Sequence, residues 1–590
     1  MSKPPAKRTL NATGAKSKKG AAKKADRVQK TPEKKAKEKH IATVRQIFTG
    51  AGFTALPDVS DTEFTFEGVK TDLDDYFVFE NILVLVEYTS STSPSGHLKS
   101  KISPFSKILA NPGDFVRFLK TTFPQTATLI APGYHLSEIK TRIVYSALYN
   151  IDDVHQGNIP GPIYMNYPAV RYFSAIVDAI KLSARGELLH FLDIEPSDVG
   201  SGGAIATSVG LSKFKGSVLP EAHSNFADGY KIVSFYANAD ALLRTAYVLR
   251  KDGWRDNLNL YQRMINKSKI ETIRVYLKKE KRVFINNIIV TLPSDVKPLD
   301  SSGNTIDTKT LTVASPVEIQ LPARPNSVCI IDGQHRIFAY HQTSSDDTEI
   351  ASLRSRQNLL VTGIIYPDTI TQLEKEKFEA RLFLEINSTQ TSPKPELKQA
   401  VGMIISPFAQ ESIATRVLLG LARKGPLNGF IQQNFFDESK LKTASIVSYG
   451  LKPLVKTGGT DSLFAIWEHA EKDSLPQETN DVALTAYIDF CISTINTILN
   501  AFKKNISNAR WTANKKVKNN VISTSVINGF LIVLRLLIET GHSLQFEDLD
   551  AKLTGVEDFD TSAYPSSQYN QMAAKIVKEY FDKAPATNPP

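Results

Sequence analysis

"DDYFVFENILVLVEYT", residues 74–89, is the stretch on which the fold turns. Two runs of Phe, Val, Ile and Leu are separated only by Glu80 and Asn81, which reads as two strands joined by a tight turn. Acidic residues mark the ends: Asp74 and Asp75 open the first strand, and Glu87 closes the apolar run of the second. Upstream, "IATVRQIFTGAGF" (41–53) reads as a short amphipathic helix ended by Gly50 and Gly52, and "EFTFEGV" (63–69) as another strand. Downstream, "GHLKSKI" (96–102) starts a helix and "GDFVRFLKTTF" (113–123) reads as helical, while "TATLIA" (126–131) and "TRIVYSALYNI" (141–151) read as strands. A long helix over residues 169–194 leads to a Gly- and Ser-containing segment, which places a domain boundary near residue 200.

Two carboxylates converging on a divalent metal ion can activate water and offset charge at a phosphate. Hairpin-paired strands can supply that convergence, so Asp74 and Glu87 are candidate metal-binding and catalytic residues. The order helix, three strands, helix, strand over residues 41–131 resembles the PD-(D/E)xK nuclease core. The resemblance implies a restriction-endonuclease-like α/β domain over 41–200 that cleaves DNA with Mg2+. The chain departs from that family at one place. The lysine expected two residues after the glutamate is Thr89, and Lys99 or Lys101 could reach back to replace it. If neither does, the sheet is a non-cleaving platform or simply carries solvated acids at its strand ends.

A second polar interruption falls in "SVCIIDGQHRIFAYHQ" (327–342). A continuously apolar strand stops at Asp332, Gly333 permits a sharp turn, and a helix follows. Asp332 is expected to cap that helix. A strand, a tight turn and a helix N-terminus make a geometry suited to phosphate. The helix end contributes only about 0.3–1 kcal/mol per charge, whereas each hydrogen bond from a charged donor adds about 1.5–3 kcal/mol. Arg336 is therefore the expected anchor. His335, with an ordinary pKa near working pH, is the candidate for proton transfer, and Gln334 or His335 would orient water. The alternative is a capped helix whose polar residues face solvent.

The pentapeptide resembles the DGQHR-domain family, a DndB-like group associated with DNA sulfur modification and similar to the ParB and sulfiredoxin superfamily. The segments around "YQR" (261–263) and "INSTQ" (386–390) resemble the same family's flanking elements. The resemblance implies a nucleotide-binding α/β domain over 201–400. Phosphate contacts would come from Asp332, Gly333, Gln334, His335 and Arg336, with support from Arg263, Asn387 and Gln390. ATP, GTP and CTP are not distinguished by it.

The net charge of +10 is local. Residues 1–40 hold 14 Lys and Arg against Asp26, Glu33 and Glu38, while the other 550 residues hold 57 basic and 58 acidic groups. This tail is expected to be disordered and to serve as a phosphate-binding arm or as a solubilising extension. Cys329 and Cys491 lie far apart, outside zinc or disulfide spacing. No secretory h-region stands at the N-terminus. The apolar segment 521–541 contains Ser523, Ser525, Asn528 and Arg535 and reads as a core helix rather than a membrane span. Residues 401–590 read as α-helical. In "AFKKNISNARWTANKKVKNN" (501–520), six basic residues surround Trp511. Such a cluster suits nucleic acid, although a solvated helix face with Trp511 in the core is the better expectation.

Together these readings describe an α/β multidomain, cytoplasmic protein, nucleoid-associated or oligomeric in some settings. Its expected role is to bind and hydrolyse NTP in concert with DNA and with other proteins of a bacterial DNA-modification or phage-defence system. The alternatives are a metal-dependent endonuclease that uses the DGQHR turn as a nucleotide sensor, and a non-enzymatic DNA-binding regulator.

Overall fold

The computed structural model describes residues 31–91, 95–149, 161–195, 198–200, 212–250, 264–321, 326–343, 345, 347–390, 395–432 and 440–582. The chain is mixed α/β, with several sheets followed by a helical region.

Helix α1 spans Pro32–Gly50, so residues 32–40 are helical and do not belong to a disordered tail. The signals are local: the Thr31 hydroxyl caps the Lys34 N–H, and Pro32 occupies the first turn. Strand β1 (Thr54–Ala55) follows, then β2 (Phe64–Phe66) and β3 (Val69–Thr71). The run "EFTFEGV" is therefore a hairpin rather than one strand. It turns at Glu67 and Gly68, both at positive φ, where Gly68 adopts that conformation freely. Strands β4 (Asp75–Phe79) and β5 (Ile82–Thr89) pair antiparallel, as their apolar runs require. Helices α2 (Ser95–Ala110) and α3 (Pro112–Thr122) carry the chain over to β6 (Lys140–Ala147), which lies parallel to β5 and is followed by β7 (Ile163–Met165). The sheet order is β1-β4-β5-β6-β7. "TATLIA" is not a strand. Pro124 opens a short helical turn in which the buried Thr126 hydroxyl bonds back to the Phe123 carbonyl.

The expected long helix breaks in two: α4 (Tyr167–Ile180) and α5 (Arg185–Phe191) are separated at Lys181, whose φ is 48°. Beyond it, among the described residues, lie β8 (Ser212–Val218), β9 (Lys231–Asn238), α6 (Ala239–Thr245), β10 (Ala246–Tyr247), α7 (Lys267–Glu280), β11 (Ile288–Leu292), β12 (Pro298–Leu299) and β13 (Ser315–Leu321). They are followed by β14 (Val328–Asp332), α8 (Gln334–Phe338), α9 (Thr348–Arg356), β15 (Asn358–Ile365) and α10 (Gln372–Gln390). The strands form one mixed sheet in the order β10-β14-β11-β15-β9-β8-β13-β12. One apolar core runs from Phe48 and Phe77 through Phe173 and Leu188 to Ile337 and Val361, so α1, α4 and α5 are packed in common with both sheets. The other face of the first sheet has its own core beneath α2 and α3.

The remainder is helical among the described residues, including α11 (Pro395–Ile405), α12 (Gln410–Arg423), α13 (Asp481–Asn505), α14 (Thr524–Glu539) and α15 (Tyr569–Ile576) around a separate core. By length and composition α13 could cross a membrane, but its Tyr487, Cys491, Ile495 and Phe502 are buried within that core. Trp511 is buried, with Nε1 donating to the Pro426 carbonyl, and Arg510 holds the carbonyls of Asn519, Glu557 and Phe559. Both residues thus serve the fold, leaving exposed lysines around them.

Candidate functional site

The register of β4 and β5 sets the first site. Asp75 pairs with Val86, so Asp74, one residue outward, stands across from Glu87. Opposite residues of an antiparallel pair share a face. The Asp74 carboxylate accepts the Tyr88 N–H at 2.7 Å, which places it beside the Glu87 backbone. Asp75 points the other way, held by Arg45 at 2.7 Å and by the Tyr88 hydroxyl at 2.7 Å. The two adjacent aspartates therefore have different jobs.

Glu87 is 4% exposed. Its Oε1 takes the Lys101 ammonium at 3.0 Å and His97 Nε2 at 3.1 Å, while Oε2 is buried with no partner. Lys101 also donates to the Asp72 carboxylate and carbonyl, each at 2.8 Å. Burial alone would lower the Lys101 pKa, but its bond to Asp72 and the Glu87 charge hold it above the usual lysine value. Lys101 thus reaches back to Glu87, whereas Lys99 is exposed. A carboxylate only accepts, so His97 carries a proton on Nε2, while its Nδ1 shares a hydrogen bond with the Tyr145 hydroxyl at 2.8 Å. Burial, reinforced by the Glu87 charge, pushes Asp74 up to about 6.

Among the described residues no group of three or more His, Cys, Asp or Glu side chains is arranged to hold a metal ion. Asp74 and Glu87 are a pair. Mg2+ is ordinarily held by one or two carboxylates plus waters and substrate phosphate, so a pair with one orphaned, buried oxygen fits it.

The second site is the turn after β14. Gly333 has φ 102°, and a Cβ there would sit 2.6 Å from Ile288. Asp332 does not cap α8; it pairs with Arg336 at 2.6 Å, because the i, i+4 spacing brings the two together. The helix has only five residues. Two buried arginines end it: Arg274 holds the carbonyls of Ala339 and His341, and Arg354 that of Tyr340. His335 is not poised near neutrality. Burial, then Lys269 and Arg250, push it down to about 4, and its Nε2 accepts the Asn266 N–H at 3.1 Å. Gln334 is buried and accepts from Arg250 Nε at 3.2 Å. The Asn387 amide bonds its own helix at Phe383, Arg263 lies outside the described residues, and so does the Gln390 side chain.

Sequence reasoning missed three residues. His97 precedes Lys101 by one helical turn, a spacing visible in "GHLKSKI". Tyr145 meets His97 only through the parallel pairing of β5 and β6. Arg250, 2% exposed, joins Gln334 to Glu187 of α5 at 2.7 Å and has no signal in spacing or composition. No family model, curated protein or solved structure matches the chain.

Proposed function

We propose that the chain is a metal-dependent phosphodiesterase acting on DNA, with Asp74 and Glu87 as the carboxylate pair and Lys101 in place of the missing strand lysine. One observation supports this above the others: a buried carboxylate oxygen, Glu87 Oε2, has no partner. Leaving such an atom unsatisfied costs about 1–3 kcal/mol, and more for a charged group.

Asp74 and Glu87 would hold the divalent ion, which when bound would supply positive charge at the scissile phosphate and lower the pKa of a water. The protein's own groups do the rest. Lys101 and His97 fix the Glu87 rotamer by occupying Oε1, which leaves Oε2 for a cation. The Lys101 ammonium offsets negative charge as the phosphate becomes pentacovalent. Asp74 accepts the Tyr88 N–H, which keeps its carboxylate turned toward Glu87. The test is nicking of supercoiled plasmid with Mg2+ or Mn2+, lost in Glu87→Gln and Lys101→Met but kept in Arg336→Ala. A wild-type protein that cleaves no DNA with either metal would sink the reading.

A second reading keeps NTP at the 332–336 turn, in the DGQHR-like, ParB- and sulfiredoxin-like manner, within a DNA-modification or defence setting. It is favoured by the state of Arg336, whose guanidinium is held, among the described residues, by one partly exposed carboxylate that a phosphate could replace. Binding of ATP, GTP and CTP to wild type and Arg336→Ala tests it. If no nucleotide binds, the third reading remains, a DNA-binding regulator.

A further inference from the structure

The contacts of α1 fix its direction. His40 lies against the Tyr88 ring at 6.0 Å and the Ser146 hydroxyl at 3.2 Å, at the far ends of β5 and β6. Arg45 then holds Asp75, Phe48 stacks on Phe77 at 4.7 Å, and Phe53 meets Phe79 at 5.5 Å. Phe79 pairs with Ile82, where β5 begins. Helix α1 therefore runs antiparallel to β5, and its N-terminus projects past the strand end that bears Glu87.

Residues 32–39 make about two turns beyond His40, roughly 12 Å at 1.5 Å per residue. Lys34, Lys35, Lys37 and Lys39 are all exposed there, interrupted by Glu33 and Glu38. The preceding 30 residues add ten Lys and Arg against Asp26 alone. Asp75 faces α1 and Asp74 faces away, so the lysine arm and the carboxylate pair flank one edge of the sheet.

We propose that the first turns of α1 are a docking arm for the phosphate backbone of duplex DNA. The reading of Asp74 and Glu87 as a phosphodiesterase pair says where the scissile strand lies; the binding itself does not depend on it. B-DNA presents one charge per about 1.7 Å of axis, so a duplex laid along this edge offers several phosphates within the arm's length. Lysines act as point charges without a planar fork, which makes the contact indifferent to sequence.

The experiment measures binding of full-length protein to a mixed-sequence duplex, without metal, between about 50 and 200 mM salt. It compares wild type with the quadruple Lys34, Lys35, Lys37 and Lys39→Gln variant and with the same four positions changed to Arg. The quadruple variant is expected to lose up to about 3–4 units of log–log salt slope. Its affinity then falls about a hundredfold less than that of wild type across this range. The same four positions changed to Arg restore the slope. Unchanged affinity and slope in the quadruple variant overturn the proposal, as does a wild type that binds anionic lipid vesicles and not the duplex. Lysine-dependent binding without cleavage under any divalent metal leaves the arm standing and removes the nuclease. Cleavage with an unaltered slope does the reverse.

Discussion

Lys101 and Glu87 meet at 3.0 Å with both side chains buried, the lysine from helix α2 and the glutamate from strand β5. A buried ion pair is costly to assemble and costlier to break. Here it is also lopsided. Lys101 and His97 share Oε1, and Oε2 has nothing.

Breaking the pair from one side should therefore be more damaging than removing it whole. Lys101→Met leaves Glu87 buried with only His97 and is expected to cost about 3–5 kcal/mol. Glu87→Gln with Lys101→Met together should recover much of that loss, since no uncompensated charge remains. Urea unfolding of the two singles and the double gives the coupling directly. Additive losses would mean that Asp72, not Glu87, is the partner that matters.

Asp74 gives the site a pH signature. Its pKa is raised to about 6 from an ordinary 3.8, so the folded state prefers it protonated. The stability this lends is full below about pH 4 and is lost as pH rises through about 6. In metal-free buffer Asp74→Asn should match wild type at pH 4 and exceed it at pH 8. The expected gain is about 1–2 kcal/mol after discounting for partial exposure. Mg2+ or Mn2+ should stabilise wild type above pH 6, less below it, and the Asn variant hardly at all. Thermal unfolding across pH with and without metal reads all of this, and an Asn variant no more stable at pH 8 contradicts it.

Much of the first unit was legible because its signals are local. The runs at 76–79 and 82–86 could only be strands, and a helix carrying Lys101 had to follow β5. Thr31 and Pro32 announced the start of α1, but the lysines around them made the segment look like tail. "TATLIA" misled because Pro124 set a helical turn that its β-branched residues do not suggest. Asp332 had two partners open to it, the N–H groups ahead and Arg336 one turn on. Only packing decides between them. Arg250 was beyond reach, because its partners Glu187 and Gln334 come from distant segments brought together by the common core.

That arginine should be structural in a way an ordinary surface residue is not. Arg250 is buried with Glu187 on one side and Gln334 on the other, and its guanidinium lies 5.4 Å from the Phe338 ring. Arg250→Met strands Glu187 beside the Tyr172 hydroxyl. A loss of about 3–5 kcal/mol is expected, with partial rescue by Glu187→Gln in the same chain. Denaturant midpoints of the single and double variants check this. A loss near zero would mean that Glu187 reaches water once Arg250 is gone.

The turn at 332–336 can be tested by freeing its arginine rather than deleting it. As long as Asp332 holds Arg336 at 2.6 Å, a phosphate must displace a carboxylate to reach the guanidinium. Asp332→Asn weakens that competitor by removing its charge, so under the nucleotide reading NTP affinity should rise by about tenfold, roughly 1.4 kcal/mol. His335 contributes no cation here, since burial pushes it down to about 4 and Nε2 is engaged by the Asn266 N–H. His335 should therefore add no pH dependence to binding between about pH 5.5 and 8, and a change across that range would come from the NTP's own terminal phosphate. Calorimetry with ATP, GTP and CTP on wild type, Asp332→Asn and Arg336→Ala separates the cases. Affinity that rises with the first substitution and vanishes with the second makes the turn a phosphate site. Affinity indifferent to both makes the Asp332–Arg336 pair a brace that closes a five-residue helix.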